Sequence, residues 1–334
     1  MSRLGIAAAW LSAACCLPYL LIKVAWAVGV PVGITERGLL NDSDWTSANA
    51  LMAVGELVGV LLVVVITRPW SLRLPAWLVL FPAWMGTGLL FPIVAVAALA
   101  GVVGSSGGDT GGDSGGFRPW VFVLVYAGFA GQGVALAVAF GCYIRARWGR
   151  LLGARTGDVL ARRGFLPYVV LARVAVGLAV LAVVVAGVFG YWAAGGEHGL
   201  PAGFPWEHFA VQSAGALVAA AGMLGLAGRW GSRTRCWLPV TLAWVGSGSL
   251  AAFDGLNLVL IRLIGADSFA GGASPWVLFD TVQVVEVTTG VLAAVVAAAV
   301  VAGTSAAGPG VTHDAGAPSA CPAPSGGDVG GNGS

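Results

Sequence analysis

Residues Trp237–Gly265, WLPVTLAWVGSGSLAAFDGLNLVLIRLIG, decide how the chain folds. The run exceeds the roughly 20 mostly apolar residues that a bilayer crossing takes, yet it carries Asp254, Asn257 and Arg262. It also has a near-copy upstream. Trp77-Leu78, Ala83-Trp84, Gly86, Gly88 and Leu90 recur 160 positions later as Trp237-Leu238, Ala243-Trp244, Gly246, Gly248 and Leu250. Gly55, Leu57 and Val58 match Gly215, Leu217 and Val218 at the same offset. Leu17-Pro18-Tyr19 returns as Leu166-Pro167-Tyr168, and Pro119-Trp120-Val121 as Pro275-Trp276-Val277. The pattern is that of a duplicated membrane scaffold.

Composition agrees. Of 334 residues, 58% are hydrophobic and 10% charged, and the mean hydropathy is +0.88. A soluble domain has no way to bury so much apolar surface, whereas a bilayer is itself an apolar solvent. The formal charge of +2 leaves no basic field for nucleic acid. Lys23 is the only lysine among seventeen basic residues. With abundant Ala, Gly and Val, that bias points to a high-GC, actinobacterial type of genome and to a bacterial cell membrane. The five cysteines form no CxxC and no even framework.

Eight apolar stretches reach spanning length, at about 5–30, 48–67, 75–103, 119–144, 166–192, 209–228, 237–264 and 276–303. With the N-terminus inside, twelve arginines fall in inner segments and only Arg37 and Arg118 in outer loops, as the positive-inside rule requires. The fold expected is therefore an all-α, polytopic membrane helix bundle of eight transmembrane helices. They form two parallel four-helix repeats with both ends inside. The units are a first repeat at 1–144, a basic cytoplasmic linker at 145–165, a second repeat at 166–303 and a disordered cytoplasmic tail at 304–334. Four spans per repeat insert both copies the same way up, so the symmetry axis should follow the membrane normal. Ala25-Trp26-Ala27 resembles a signal-peptide cleavage site, but Lys23 inside the apolar run argues for a retained first helix. Nine of the fourteen tryptophans lie near span ends, where an aromatic belt is expected.

A charge at mid-bilayer costs roughly 2.5–3.5 kcal/mol on insertion scales, so such residues turn inward and carry a partner or a function. Lys23, Glu56, Arg173, Asp254, Arg262, Asp280 and Glu286 are the candidates. Most of them fall in the outer half at one level, which predicts a polar chamber there with Lys23 and Glu56 as an ion pair. The cation recurs between copies, Arg173 lying within one residue of the Lys23 equivalent. The acids do not: Glu56 aligns with Ala216, Asp254 with Val94 and Asp280 with Leu124. Residues present in one copy only fit a specialised site, so Glu56, Asp254, Asp280 and Glu286 are the catalytic candidates. Tyr19, Lys23 and Trp26 share one face of the first helix. With Trp84, Trp244 and Asn257, which lies one turn beyond Asp254, they are the substrate-binding candidates. The bland alternative is that each acid neutralises a cation or sits protonated in a hydrogen bond.

No Walker loop, GxSxG element or dinucleotide fingerprint occurs, so no nucleotide and no cofactor is expected. Three histidines without HxxxH or HExxH spacing call for no metal. In size, multiple spans, composition and isolated acids on an early and a late helix, the chain resembles the bacterial membrane terpene cyclases of indole-terpenoid and meroterpenoid pathways. That resemblance implies a membrane isomerase or lyase of terpenoid biosynthesis. A carboxyl at Glu56 or Asp254 would protonate an apolar, prenyl-type substrate drawn from the lipid bilayer, and aromatic faces would stabilise the carbocation. The same acids suit a proton-coupled secondary transporter or exporter, and the polar residues also suit a non-catalytic membrane subunit.

Overall fold

The computed structural model describes residues 2–36, 38, 40, 43–103, 116–161, 165–200, 206–255 and 277–306. Among them every regular element is helical, and β-pairing is limited to two isolated bridges, Ile34–Phe117 and Arg155–Arg235. The helices are α1 (Arg3–Ala27), α2 (Ser43–Thr67), α3 (Ala76–Val103), α4 (Pro119–Gly153), α5 (Thr156–Ala161), α6 (Phe165–Ala193), α7 (Trp206–Leu226), α8 (Trp237–Gly248) and α9 (Val277–Ala306). A 3₁₀ turn, Pro69–Arg73, precedes α3, and a π-turn, Ser249–Phe253, continues α8. Seven of the helices are long and apolar enough to cross a membrane, and Trp237–Phe253 is a shorter apolar one. Rows of exposed Leu and Val along α1, α2, α6 and α9 would be untenable in water, and they mark the lipid-facing surface.

Local sequence explains the helix ends. Ser2 caps α1 by accepting from the Gly5 amide at 3.2 Å, and Pro119 begins α4 where no amide partner is needed. Pro18, Pro82 and Pro92 sit inside α1 and α3. Packed membrane helices tolerate that, because neighbouring groups take up the freed backbone carbonyls.

The same ring of neighbours occurs twice. α1 packs on α2 and α4, and α3 on α2 and α4; likewise α6 packs on α7 and α9, and α8 on α7 and α9. The two rings meet where α3 lies against α8 and its π-turn. There the indole N–H of Trp84 donates to Ser247 Oγ at 3.1 Å, and that of Trp244 to Thr87 Oγ1 at 3.5 Å. These contacts are reciprocal, because Trp84 and Trp244 are 160 apart in sequence, as are Thr87 and Ser247. Gly88 and Gly248, also 160 apart, touch at the centre, and a Cβ on Gly88 would strike the Gly248 carbonyl.

The links at the helix ends also pair up. Arg147 donates to Leu74 O at 2.6 Å and to the Tyr143 hydroxyl at 2.8 Å, and Tyr143 in turn donates to Ser71 O, so the end of α4 is fastened to the turn before α3. The Thr156 amide donates to Thr234 O and the Cys236 amide to Ala154 O, which fastens the linker to the α7–α8 connection. The exposed arginines 68, 73, 145, 150, 155, 229, 233 and 235 all belong to these connections. At the opposite ends of the helices, the Thr35 amide donates to Gly116 O and the Arg118 amide to Gly33 O.

α4 runs on to Gly153, with a break at Trp148, and α5 follows as a short helix of its own. The last helix ends at Ala306. Asn257, Arg262 and the tail after Ala306 lie outside the described residues.

Candidate buried acid–amide site

Among the described residues the acids and amides form one cluster in each ring. In the second ring the centre is Gln212 on α7. This helix is the most enclosed of the long ones. Its Gly and Ala residues let α8 approach so closely that a Cβ on Gly215 would lie 2.6 Å from Ser249 Oγ. His208 and Gln212 stand one turn apart on α7, near the end away from the arginines. Measured along their own helices at 1.5 Å per residue, Gln212 lies about 9 Å from the start of α7 and Glu286 about 14 Å from the start of α9. The π-turn widens the helix just ahead of Asp254; such insertions concentrate at functional sites.

The Gln212 amide nitrogen donates one hydrogen to Asp254 Oδ2 at 2.8 Å and the other to Glu286 Oε1 at 2.9 Å. Its oxygen accepts from Ser249 Oγ at 3.2 Å. The Gln212, Ser249 and Glu286 side chains are wholly buried, and Asp254 is 2% exposed. Asp254 Oδ1 lies 3.9 Å from Nε2 of His208, whose side chain retains 14% exposure. The His208 ring packs on Phe209 and Phe253. Among the described residues, no lysine or arginine comes within ion-pair distance of either acid.

One oxygen remains. Glu286 Oε2 has no hydrogen-bond partner, and among the described residues it is the one buried side-chain polar atom in that position. Gln212 Nε2 binds one oxygen of each acid, so the Glu286 and Asp254 carboxyls lie side by side on one amide nitrogen. Two ionised carboxylates offer only acceptors, so a bond between them needs a hydrogen that neither supplies when charged. Deep in a low-dielectric medium, two bare negative charges side by side are also strongly unfavourable.

In the first ring, Glu56 Oε2 accepts from Cys16 Sγ at 2.8 Å and from Gln132 Nε2 at 3.1 Å. The expected ion pair between Lys23 and Glu56 is not formed. Lys23 Nζ donates to Asn49 Oδ1 at 2.6 Å and lies 5.0 Å from the Tyr19 ring centroid and 4.9 Å from that of Trp26. The reason is register: along antiparallel α1 and α2, Cys16 meets Glu56 and Lys23 meets Asn49, which keeps the two charges on different turns.

The sequence candidates therefore fall into separate places. Asp254 and Glu286 come together; Glu56 belongs to the other ring, and Asp280 stands half-buried in the first turn of α9. Trp84 and Trp244 lie in the seam between the rings with their N–H groups engaged. Trp26 donates to Val32 O at 2.8 Å and packs with Trp45 and Phe117. Gln212 and Gln132, the amides that organise the two clusters, went unnoticed in the sequence. The available signal was an amide in an otherwise apolar helix, as uncommon there as a charge. No protein family, curated protein or solved structure matches the chain.

Proposed function

We propose that the chain is a proton-coupled membrane transporter whose proton is held by Asp254 and Glu286. The carrying observation is the orphaned, fully buried Oε2 of Glu286, whose carboxyl shares the Gln212 amide nitrogen with that of Asp254. His208 is the relay to the nearer membrane surface, because it is the one member of the cluster that is both partly exposed and next to Asp254. A proton passes from solvent to His208, then to Asp254, and is shared with Glu286, where Gln212 holds both acceptors in place.

The surrounding scaffold is eight spans in the cell membrane, built as two parallel four-helix repeats with both ends inside. The reciprocal Trp84–Ser247 and Trp244–Thr87 bonds support it, since only a two-fold relation between the copies makes each residue meet the partner of its equivalent. Rocking of two such repeats against each other would carry a site between the faces of the membrane.

Acid-initiated cyclisation of a prenyl substrate is the second reading, and Glu56 is what favours it. Glu56 is half-buried on α2, whose other residues Val54, Leu57 and Val58 face lipid. An apolar substrate moving laterally through the bilayer would meet that acid first.

Proteoliposomes with an entrapped pH dye, driven by a potassium diffusion potential, separate the two. Proton entry above that of protein-free liposomes, lost in Glu286→Gln and Asp254→Asn, supports transport. Equal rates for wild type and Glu286→Gln overturn it. Formation of a cyclised product from a prenyl epoxide in the same membranes, lost in Glu56→Gln, would establish the second reading instead.

A further inference from the structure

We infer that the Asp254–Gln212–Glu286 cluster also takes a monovalent alkali cation, Na⁺ or its like, in exchange for its proton. The inference rests on the proton-site reading and specifies what competes for the same place. Three features carry it: the donor atoms, the unsatisfied oxygen and the amide between them.

The donor set is hard oxygen, the class that suits alkali and alkaline-earth ions rather than soft metals. Asp254 and Glu286 each bring a carboxyl, and Ser249 a hydroxyl held against Gln212. Glu286 Oε2 is fully buried and has no partner, so it is an acceptor aimed at a cationic occupant. The charge balance selects a single positive charge. The carboxyl pair with one shared proton has a net charge of −1; replacing that proton by one monovalent cation leaves −1. No further charge is buried and none is exposed. A divalent ion would change the buried charge and would need six or more oxygens around it.

Gln212 supplies the means of exchange. Its nitrogen now faces the two carboxyls and its oxygen faces Ser249 Oγ. A half-turn of the terminal amide swaps these ends. The oxygen then joins both carboxyls around the cation, and the nitrogen donates to Ser249 Oγ, since a hydroxyl both donates and accepts. The two states are nitrogen inward with the proton and oxygen inward with the cation, the second keeping one N–H bonded to Ser249 Oγ. The step is balanced, one cation entering as one proton leaves through Asp254 and His208 to the solvent.

The test uses the purified full chain in detergent under light buffering, with a pH dye in solution. NaCl, choline chloride and CaCl₂ are added at equal ionic strength, and thermal unfolding is followed by tryptophan fluorescence. NaCl should release up to one proton per chain and raise the unfolding midpoint, and choline should do neither. Asp254→Asn and Glu286→Gln should each lose both responses. Leu217→Ala, at an exposed position on α7, should keep them, and the infrared readout on the wild-type chain serves if the first two variants fold poorly. Infrared spectroscopy without sodium separates the two levels of failure. A protonated-carboxyl band that NaCl leaves unchanged overturns the cation inference while the proton site stands. Absence of that band overturns the proton site itself. A response to CaCl₂ and not to NaCl overturns the assignment of a monovalent ion.

Discussion

Exchanging the acid and the amide between α7 and α9 tests the site most directly. Gln212→Glu alone places three carboxyls in one buried pocket and removes the donor that both existing acids use. A buried acceptor left without its donor costs roughly 1–3 kcal/mol, so losing both costs about 2–6 kcal/mol before any repulsion is counted. Glu286→Gln alone removes one acid and leaves an amide oxygen to accept from Gln212, which is a milder change. The double variant Gln212→Glu/Glu286→Gln again contains two acids and one amide. The amide nitrogen on α9 is then placed to donate to the acid on α7 and to Asp254. The pair should therefore be strongly non-additive. The double variant should recover about 0.5–3 kcal/mol relative to the sum of the singles, the range for residues that share partners. Thermal unfolding of all four proteins in one detergent, read by tryptophan fluorescence, measures this. If the double variant equals the sum within about 0.5 kcal/mol, Gln212 does not bridge the two acids and the site as built here is wrong.

Four further outcomes are expected. Ser247→Ala should cost about 0.5–1.5 kcal/mol by releasing the Trp84 N–H; Thr87→Val should cost less, since its bond to Trp244 is 3.5 Å against 3.1 Å. Equal unfolding midpoints for wild type and Ser247→Ala would show that the seam is not held by these bonds. Gly88→Leu should cost about 1–3 kcal/mol or more by overpacking against the Gly248 carbonyl, seen as loss of monodisperse protein, whereas Gly55→Ala, with open space around it, should be tolerated. Lys23→Met and Glu56→Gln should be additive within about 0.5 kcal/mol because the two do not pair; measured coupling above that would restore the ion pair. Arg147→Ala should raise protease susceptibility in the 70–75 turn, because its guanidinium holds Leu74 O and the Tyr143 hydroxyl.

Much of the scaffold was open to reading because it rests on composition and period. Apolar runs of fixed length, arginines gathered in alternate connections and matches at a constant offset are properties of the chain itself. Pairing is different. Lys23 and Glu56 sit in adjacent helices, and the sequence makes them natural partners; only the register of α1 on α2 shows that Asn49 and Cys16 intervene. Trp84 and Trp244 enter the sequence reading as substrate-binding candidates, and the structure sets them in the seam. Their role at the seam depends on which way the indole N–H points, and no spacing encodes that.

The offset comparison of the acids gains a further meaning from the contacts that they make. Aligned by offset, Glu56 faces Ala216 and Gln212 faces Met52, so the acids look like features of one copy alone. In space, both rings contain a carboxyl–amide bond across the same diagonal, from the second helix to the fourth. Glu56 accepts from Gln132 at 3.1 Å, and Glu286 accepts from Gln212 at 2.9 Å, with acid and amide exchanged between the helices. Long side chains reach across a turn, so the bond tolerates a shift of one turn in position, as from Met52 to Glu56, that alignment counts as a mismatch. What the two rings share is therefore the contact and not the residue. What separates them is Asp254, which gives the second ring a second carboxyl on the same amide and leaves Glu286 Oε2 without a partner. Asp254→Val, the residue at the matching position in the first copy, should for that reason turn the second cluster into a single-acid site. Its titration should then show no shared proton, and its protonated-carboxyl infrared band should lose the response to sodium.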